Sequence, residues 1–356
     1  MALLFFFTMK IGILGLPQSG KTSVLCAASG RSEVGHDGGK SAHRAVVKVP
    51  DARLPVLAKL VSTTKIVYAE VEFLDAGGFS GAKEGAALPV TAELRQMDTL
   101  LVVVDAFSGM RNPEQDAKAV LDELILNDLA QVEGKVDKLV KLVHMGAKER
   151  ARELEVLQKC HIALEAERPL VEIGLTPDEE REIRGYTFLS LKPALIVCNI
   201  SEDEARNAAQ WEKKFAPFVS TGKREVAALC AKVEMDLAGI SVDDRVEFMR
   251  DLGITCPAVD LVIQKAYTLL GLISYFTAGE KEARAWTIHR GSNAQQAAGA
   301  IHSDIERGFI RAEVVRYDDY VALQTMPEIK KAGKLRLEGK EYIVHEGDVM
   351  LFRFNV

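Results

Sequence analysis

The residues "GLPQSGKT", Gly15 to Thr22, follow the apolar run "KIGILG" and lead into the apolar stretch "TSVLCAAS". Two glycines with a lysine and a hydroxyl after the second fit a loop whose main-chain N–H groups converge on an anion. With a strand before and a helix after, the helix N-terminus adds positive potential. Pro17, Gln18, Ser19, Gly20, Lys21, Thr22 and Ser23 would then surround a phosphate chain. In that setting Lys21 reaches the β- and γ-phosphates and Thr22 ligates Mg²⁺. The plainer alternative is an ordinary Gly-rich turn, which the strand–loop–helix context disfavours.

Such a loop needs a second acid at a neighbouring strand end. The stretch "VEFLDAGG" supplies Asp75 and Gly78 as D-x-x-G. Asp75 would hold Mg²⁺ through water, and the Gly78 N–H would sense the γ-phosphate; a strand-terminating turn is the competing reading. The next residue is Phe79, where switch NTPases of the Ras type place the glutamine that orients the attacking water. A phenyl ring hydrogen-bonds nothing, so slow hydrolysis is expected. The catalytic set is therefore Lys21, Thr22 and Gly78, and the metal set Thr22 and Asp75.

Base choice falls to "VCNISEDE". GTPases read guanine with N-K-x-D; here Asn199 is kept, Ile200 replaces the stacking lysine, and Glu202 replaces Asp. The acceptor moves out by about one methylene, roughly a carbon–carbon bond length. Guanine reading weakens, and adenine's single amine can still donate. A polar strand end with no reader is the alternative.

These loops need strands to carry them. "IGILG" (11–15), "VEFLDA" (71–76), "TLLVVVDA" (99–106) and "ALIVCNI" (194–200) are continuous apolar runs separated by helical segments, which predicts a parallel sheet covered on both faces. Between the last two, Leu129, Val132, Val136, Leu139 and Val143 recur at spacings of three and four. Leu154, Leu157 and Leu164 continue after "HMGAKE", predicting a helical hairpin with a coiled-coil-like seam. "TPDEE" (176–180) starts another helix, with Thr as N-cap and Pro at the first helical position. After "YFTAGE" (275–280), strand-like runs surround one helix over 293–308, an α+β module of β-grasp type. The segment 30–43 is rich in Gly and charge and lacks periodicity.

The expected fold class is thus α/β: a Ras-like P-loop domain with an inserted helical hairpin and a C-terminal α+β domain. The expected boundaries are 1–8 as an extension ahead of a natural start at Met9, 9–112 with 186–280 as the nucleotide domain, 113–185 as the insertion, and 281–356 as the terminal module. A length of 356 residues suits two or three domains, and 48% hydrophobic with 27% charged residues suits a water-soluble chain. The net charge of −6 argues against wholesale nucleic-acid coating, and so against DNA. Five scattered cysteines without a C-x-x-C fit reduced thiols in a cytoplasm. "MALLFFFT" is too short for a membrane span and lacks a positive leader, so no membrane partner is expected.

"GLPQSGKT", "VPDARL", "NISE", "LCAKVEMDL", "SYFTAGEKEARAWTI", "QAAGAIHSDIERGFIRAEVVRYDDY" and "LEGKEYIVHEGDVMLFRFNV" together resemble the Obg-like ATPase (YchF) family of translation-factor-related P-loop proteins. The resemblance runs from about Lys10 to the end and is densest over 267–356. It implies N-x-x-E in place of N-K-x-D, ATP over GTP, a coiled-coil insertion, a TGS (β-grasp) domain, and ribosome or rRNA as partner. It also brings Cys230, Ala231 and Lys232 into the nucleotide set, and it accommodates Phe79. The sequence departs from the family in the P-loop, where Gln18-Ser19 stands for Asn-Val. It departs again in the first switch segment, where the family's Mg²⁺-completing Thr falls near Gly39 and only Ser41 offers a hydroxyl. The stretch after D-x-x-G is shortened as well, so the chain reads as a divergent, shorter paralogue.

Seven Lys/Arg between Lys135 and Lys159 against four acids could contact rRNA or simply solvate a hairpin. Arg307, Arg311 and Arg316 carry the same two readings, and His302 reads as a helix-face or core residue. Two functional classes follow: a slow, Mg²⁺-dependent ATPase switch, and an ATP-gated ribosome-binding module with little turnover. A guanine-specific GTPase is the third reading. A monomer is expected.

Overall fold

The computed structural model describes residues 9–31, 43–75, 91–219, 223–251, 254 and 256–355. The expected 1–8 extension, Gly39 and Ser41, and Gly78 and Phe79 lie outside the described residues. The chain divides into two compact units, one of residues 10–45 and 72–269, the other of 9, 46–71 and 270–356.

The first unit is built on β1 (Met9–Leu14), β2 (His43–Lys48), and a sheet whose order places next to them the strand Glu70–Asp75 and three later ones. With β3 (Ile66–Val67) belonging to the other sheet, these strands are β4 (Glu70–Asp75), β5 (Thr99–Ala106), β6 (Ala194–Ile200) and β7 (Arg224–Leu229). The order is β2-β4-β1-β5-β6-β7, with β1, β5, β6 and β7 parallel. The expected runs at 99–106 and 194–200 are strands at those bounds, and every residue of β6 is buried. A strand covered on both faces has no polar side, so its sequence reads as an unbroken apolar run. β2 and β7 carry no such signal: β2 alternates between buried and exposed residues, and β7 opens on two charged residues and is rich in alanine.

Helices α1 (Lys21–Ala28), α2 (Arg53–Leu60), α3 (Ala92–Arg95), α4 (Pro113–His144), α5 (Ala151–Glu165) and α6 (Pro177–Ile183) follow in chain order. The expected hairpin is α4 and α5. Asn112 caps α4 by accepting from the N–H groups of Glu114 and Gln115, and Pro113 opens its first turn. Thr176 and Glu179 form a reciprocal capping box on α6. The two ends of α4 serve different cores. Ala117, Val120, Leu121 and Leu124 pack with the sheet, whereas Ile125, Val132 and Leu139 pack with Val156, Leu157 and Cys160 of the hairpin. A boundary drawn at 113 therefore falls ahead of a helix shared by both.

In the second unit the order is β11-β10-β12-β8-β9-β3, with β8 (Leu272–Ala278), β9 (Ala283–His289), β10 (Phe309–Arg316), β11 (Arg336–Glu338) and β12 (Asp348–Phe354). β8 pairs antiparallel with β9 and parallel with β12. Residues 270–280, expected in the nucleotide domain, thus supply a central strand here. Segment 46–71 groups here too: Ile66 pairs with Ala283, and Arg53 stacks on Phe276 at 4.8 Å while pairing with Asp51 and Glu346. The helix expected over 293–308 breaks at His302, whose Nδ1 accepts from the Asp304 N–H at 3.1 Å and caps the second piece.

Candidate functional site

Parallel strands end together. Asp105 lies level with Asn199 and Asn199 with Leu229, so the carboxyl ends of β5, β6 and β7 form one rim, and Leu14 ends β1 nearby in register with Val102. Ligands in open α/β sheets sit at this edge.

The loop from Gly15 to Gly20 turns at the end of β1. Gly15 has φ 152°, and a Cβ there would stand 2.3 Å from the Val103 carbonyl oxygen. Gly20 has φ 89°, and a Cβ there would stand 2.2 Å from Asn199 Nδ2. Both positions exclude a side chain by contact as well as by conformation. Gly20 is also the N-cap of α1 and supplies no capping side chain, which leaves the first-turn N–H groups to an anion. Phe107, half exposed at the end of β5, brings its ring to within 3.9 Å of the same would-be Cβ.

Lys21 is 8% exposed. Its ammonium donates to the carbonyls of Gly15 at 3.0 Å and Leu16 at 2.7 Å. Burial lowers its pKa, and the carboxylate of Asp75 works in the opposite direction. Thr22 Oγ1 donates to Asp75 Oδ2 at 3.0 Å, joining the start of α1 to the end of β4. A hydroxyl and a carboxylate are hard oxygen donors of the kind Mg²⁺ takes alongside phosphate and water. Among the described residues no group of three His, Cys, Asp or Glu could hold a metal. The Thr22 hydroxyl and the Asp75 carboxylate are donors that fit such an ion.

Asn199 is 5% exposed and spends both ends of its amide on the protein. Its Nδ2 donates to the Ser19 carbonyl at 3.2 Å, and its Oδ1 accepts from the Ala231 N–H at 3.1 Å. It braces the phosphate loop against the loop after β7, a role distinct from the base reading that its motif suggests. Ile200 is 1% exposed, its side chain in the core of the sheet rather than over the rim. Cys230 is buried, and burial raises its thiol pKa, so it contributes packing and main chain. Glu202 stands at the rim, paired with Lys232 at 2.9 Å. Both ends of that pair are open to water, which makes the pair weak and leaves the carboxylate available to another donor. Gln18 and Pro17 are exposed on the loop, Ser19 is buried beneath it, and Ser23 follows in α1.

The basic run on the hairpin is largely spoken for. Arg150 pairs with Glu153, Arg152 with Glu155, Lys159 with Glu179, and Lys135 lies over the Tyr186 ring. Arg307 pairs with Asp304, and Arg316 lies 3.8 Å from Asp348.

The family model YchF-GTPase_C, described as "Protein of unknown function (DUF933)", matches residues 272–355. The Ribosome-binding ATPase YchF of Bacillus subtilis is 39% identical over 98% of this chain and 100% of its own. That of Escherichia coli O157:H7 is 37% identical over 98% and 99%. A solved structure of the Schizosaccharomyces pombe YchF GTPase superposes with a TM-score of 0.85 at 28% identity, covering 97% of this chain and 98% of that one. The helix set contains none long and apolar enough to cross a membrane among the described residues.

Proposed function

The chain belongs to the YchF family, and we propose that it is a Mg²⁺-dependent ATP-binding protein that hydrolyses ATP slowly and acts as a ribosome-associated nucleotide switch in the cytoplasm. The observation that carries this reading is the rim itself: Lys21, the Thr22–Asp75 pair and the Asn199 brace meet at one edge of a parallel sheet. The full-length relatives named ribosome-binding ATPases support the partner and the reaction.

Each group has a task. The N–H groups from Gln18 to Ser23 cradle the phosphates, and Lys21 turns its ammonium from the two carbonyls toward the β- and γ-oxygens. Thr22 and Asp75 would hold Mg²⁺, Asp75 through water, and the ion when bound would supply positive charge to the phosphate oxygens. Asn199 keeps the phosphate loop and the Cys230–Ala231–Lys232 loop at a fixed spacing. Glu202 accepts from the exocyclic amine of adenine, with Lys232 beside it. Gly78, outside the described residues, is assigned to the γ-phosphate by its D-x-x-G motif alone. Phe79 cannot hydrogen-bond water, so turnover rests on another group, a partner or an ion to position it. Residues 281–356 serve as a TGS-type β-grasp module and the α4–α5 hairpin as a coiled-coil arm, and the protein works as a monomer.

Since the Schizosaccharomyces pombe relative is titled a GTPase, GTP is kept as the competing ligand. Co-sedimentation with ribosomes, with and without ATP, tests the switch: Lys21→Ala should abolish the nucleotide dependence. Unchanged ATP-dependent pelleting in that variant contradicts the reading.

A further inference from the structure

The amino-terminal edge of the same sheet carries a second site. A cavity of about 610 Å³ opens there, bounded by the starts of β5 and β6, by α6 and by the residues ahead of β7. It lies one strand length from the nucleotide rim, roughly 20 Å for strands of six to eight residues.

Five cations line it: Arg95, Arg181, Arg184, Lys192 and Lys223. Two acids share the lining, Asp98 and Glu180, and two of the cations are already paired, Arg95 with Asp128 at 3.3 Å and Arg181 with Asp178 at 3.1 Å. Asp98 is partly committed, accepting from the Lys10 N–H at 2.8 Å. Arg184 and Lys223 are exposed and have no ion pair among the described residues. Lys192 is half-buried, and of its three donors one reaches a partner, the Met97 carbonyl at 2.6 Å. An ammonium set in a partly dry wall with two donors to spare is a site for an anion. Burial lowers the Lys192 pKa, and the carboxylates of Asp98 and Asp128 offset that only in part.

The lining also says what the anion is attached to. Phe188 is its one aromatic and is 2% exposed, so no ring stands free to stack on a base. A groove of spread cations without a stacking face tracks a sugar–phosphate backbone and does not read sequence. We propose that this groove binds the phosphodiester backbone of an RNA strand, at the edge of the sheet opposite the nucleotide. The inference deepens the ribosome-associated reading and rests on it for the source of the RNA.

The test is a titration of the full chain with a fluorescein-labelled structured RNA hairpin over a series of salt concentrations. Wild type should bind with an affinity that falls steeply with salt. Arg184→Ala combined with Lys223→Ala should weaken binding tenfold or more and reduce the salt slope by about two, one for each phosphate no longer neutralised. Glu180→Lys should steepen the slope. Two hairpins of unrelated sequence should respond alike. Both substituted positions are exposed, and a melting transition unchanged from wild type shows the variant folded; Lys192→Met supplies an independent variant from another segment. Wild-type affinity and slope in the double variant, or no RNA binding by wild type, overturns the proposal. Ribosome co-sedimentation separates the two readings. Equal pelleting of wild type and double variant removes the groove and leaves ribosome binding standing. Absence of pelleting by wild type removes ribosome binding, and the hairpin titration still decides the groove.

Discussion

At the carboxyl edge of the parallel sheet, Lys21 is buried, its ammonium is held by two carbonyls, and Thr22 is tied to a carboxylate that is 2% exposed. At the amino edge, Arg184 and Lys223 stand in water without ion pairs among the described residues. The same strands carry both edges. What differs is solvent: the first edge concentrates a few desolvated groups in fixed geometry, and the second spreads charge over a wide opening. A desolvated charge interacts strongly and is costly to orphan, whereas an exposed one acts weakly, at a distance, and is screened by salt. Burial, not the edge, should therefore set the size of a substitution's effect.

Asp128 offers the severest trial of that idea because it is a wholly buried charge close to the amino edge. Its carboxylate accepts from the N–H groups of Leu189 at 3.0 Å and Ser190 at 2.7 Å, and from Arg95 at 3.3 Å. Asp128→Ala strands two main-chain donors and a guanidinium, and should cost about 3–5 kcal/mol in denaturant unfolding. Asp128→Asn, which keeps one acceptor, should cost visibly less. Equal losses would show that hydrogen bonding is not what Asp128 supplies.

Lys21→Ala comes next. Losing charge-assisted contacts to phosphate is worth about 3 kcal/mol, or roughly a hundredfold in ATP affinity by equilibrium titration. A change below about threefold, equivalent to less than 1 kcal/mol, would place Lys21 among the exposed cations in its behaviour. Asn199→Ala should follow, with a loss of about 2 kcal/mol in stability as the Ser19 carbonyl and the Ala231 N–H lose their partner. It should weaken ATP and GTP by equal factors, because the amide braces two loops and does not read the base. Unequal factors would return Asn199 to the reader.

The smallest effect belongs to the hairpin. Burial alone would raise the Glu153 carboxyl, but hydrogen bonds from Tyr186 and Arg150 hold it below its ordinary 4.5. The main-chain N–H of Thr176 and then Lys159 do the same for Glu179. A carboxylate with a depressed folded-state pKa contributes stability above its unfolded pKa and loses it as pH falls through the folded value. Wild type should thus be more stable than Glu153→Gln at neutral pH, and the gap should close as the pH falls below the ordinary carboxylate range. A gap independent of pH would assign Glu153 a packing role alone.

The rim is largely legible in the sequence because short stretches carry it. Gly15, Gly20, Lys21 and Thr22 sit within eight residues, Asp75 ends β4, and Asn199 lies near the end of β6, an almost unbroken apolar run. What the motif misleads on is direction. Ile200 occupies the position of a base-stacking residue, yet as the last residue of a fully buried strand it turns into the core. The grouping of 46–71 with 270–356 is hidden because it depends on a two-residue strand, Ile66–Val67, pairing across more than two hundred positions. The amino-edge groove is hidden for a related reason. Arg95, Arg184, Lys192 and Lys223 share no spacing in the sequence, and only the order of the strands brings them together.

The most direct measurement is paired titration of the Mg²⁺-containing protein with ATP and GTP, for wild type and Glu202→Asp. ATP should bind at least tenfold more tightly, about 1.4 kcal/mol, and the shorter carboxylate should narrow that gap. GTP bound more tightly by wild type, or a preference indifferent to Glu202, would contradict adenine reading at this rim.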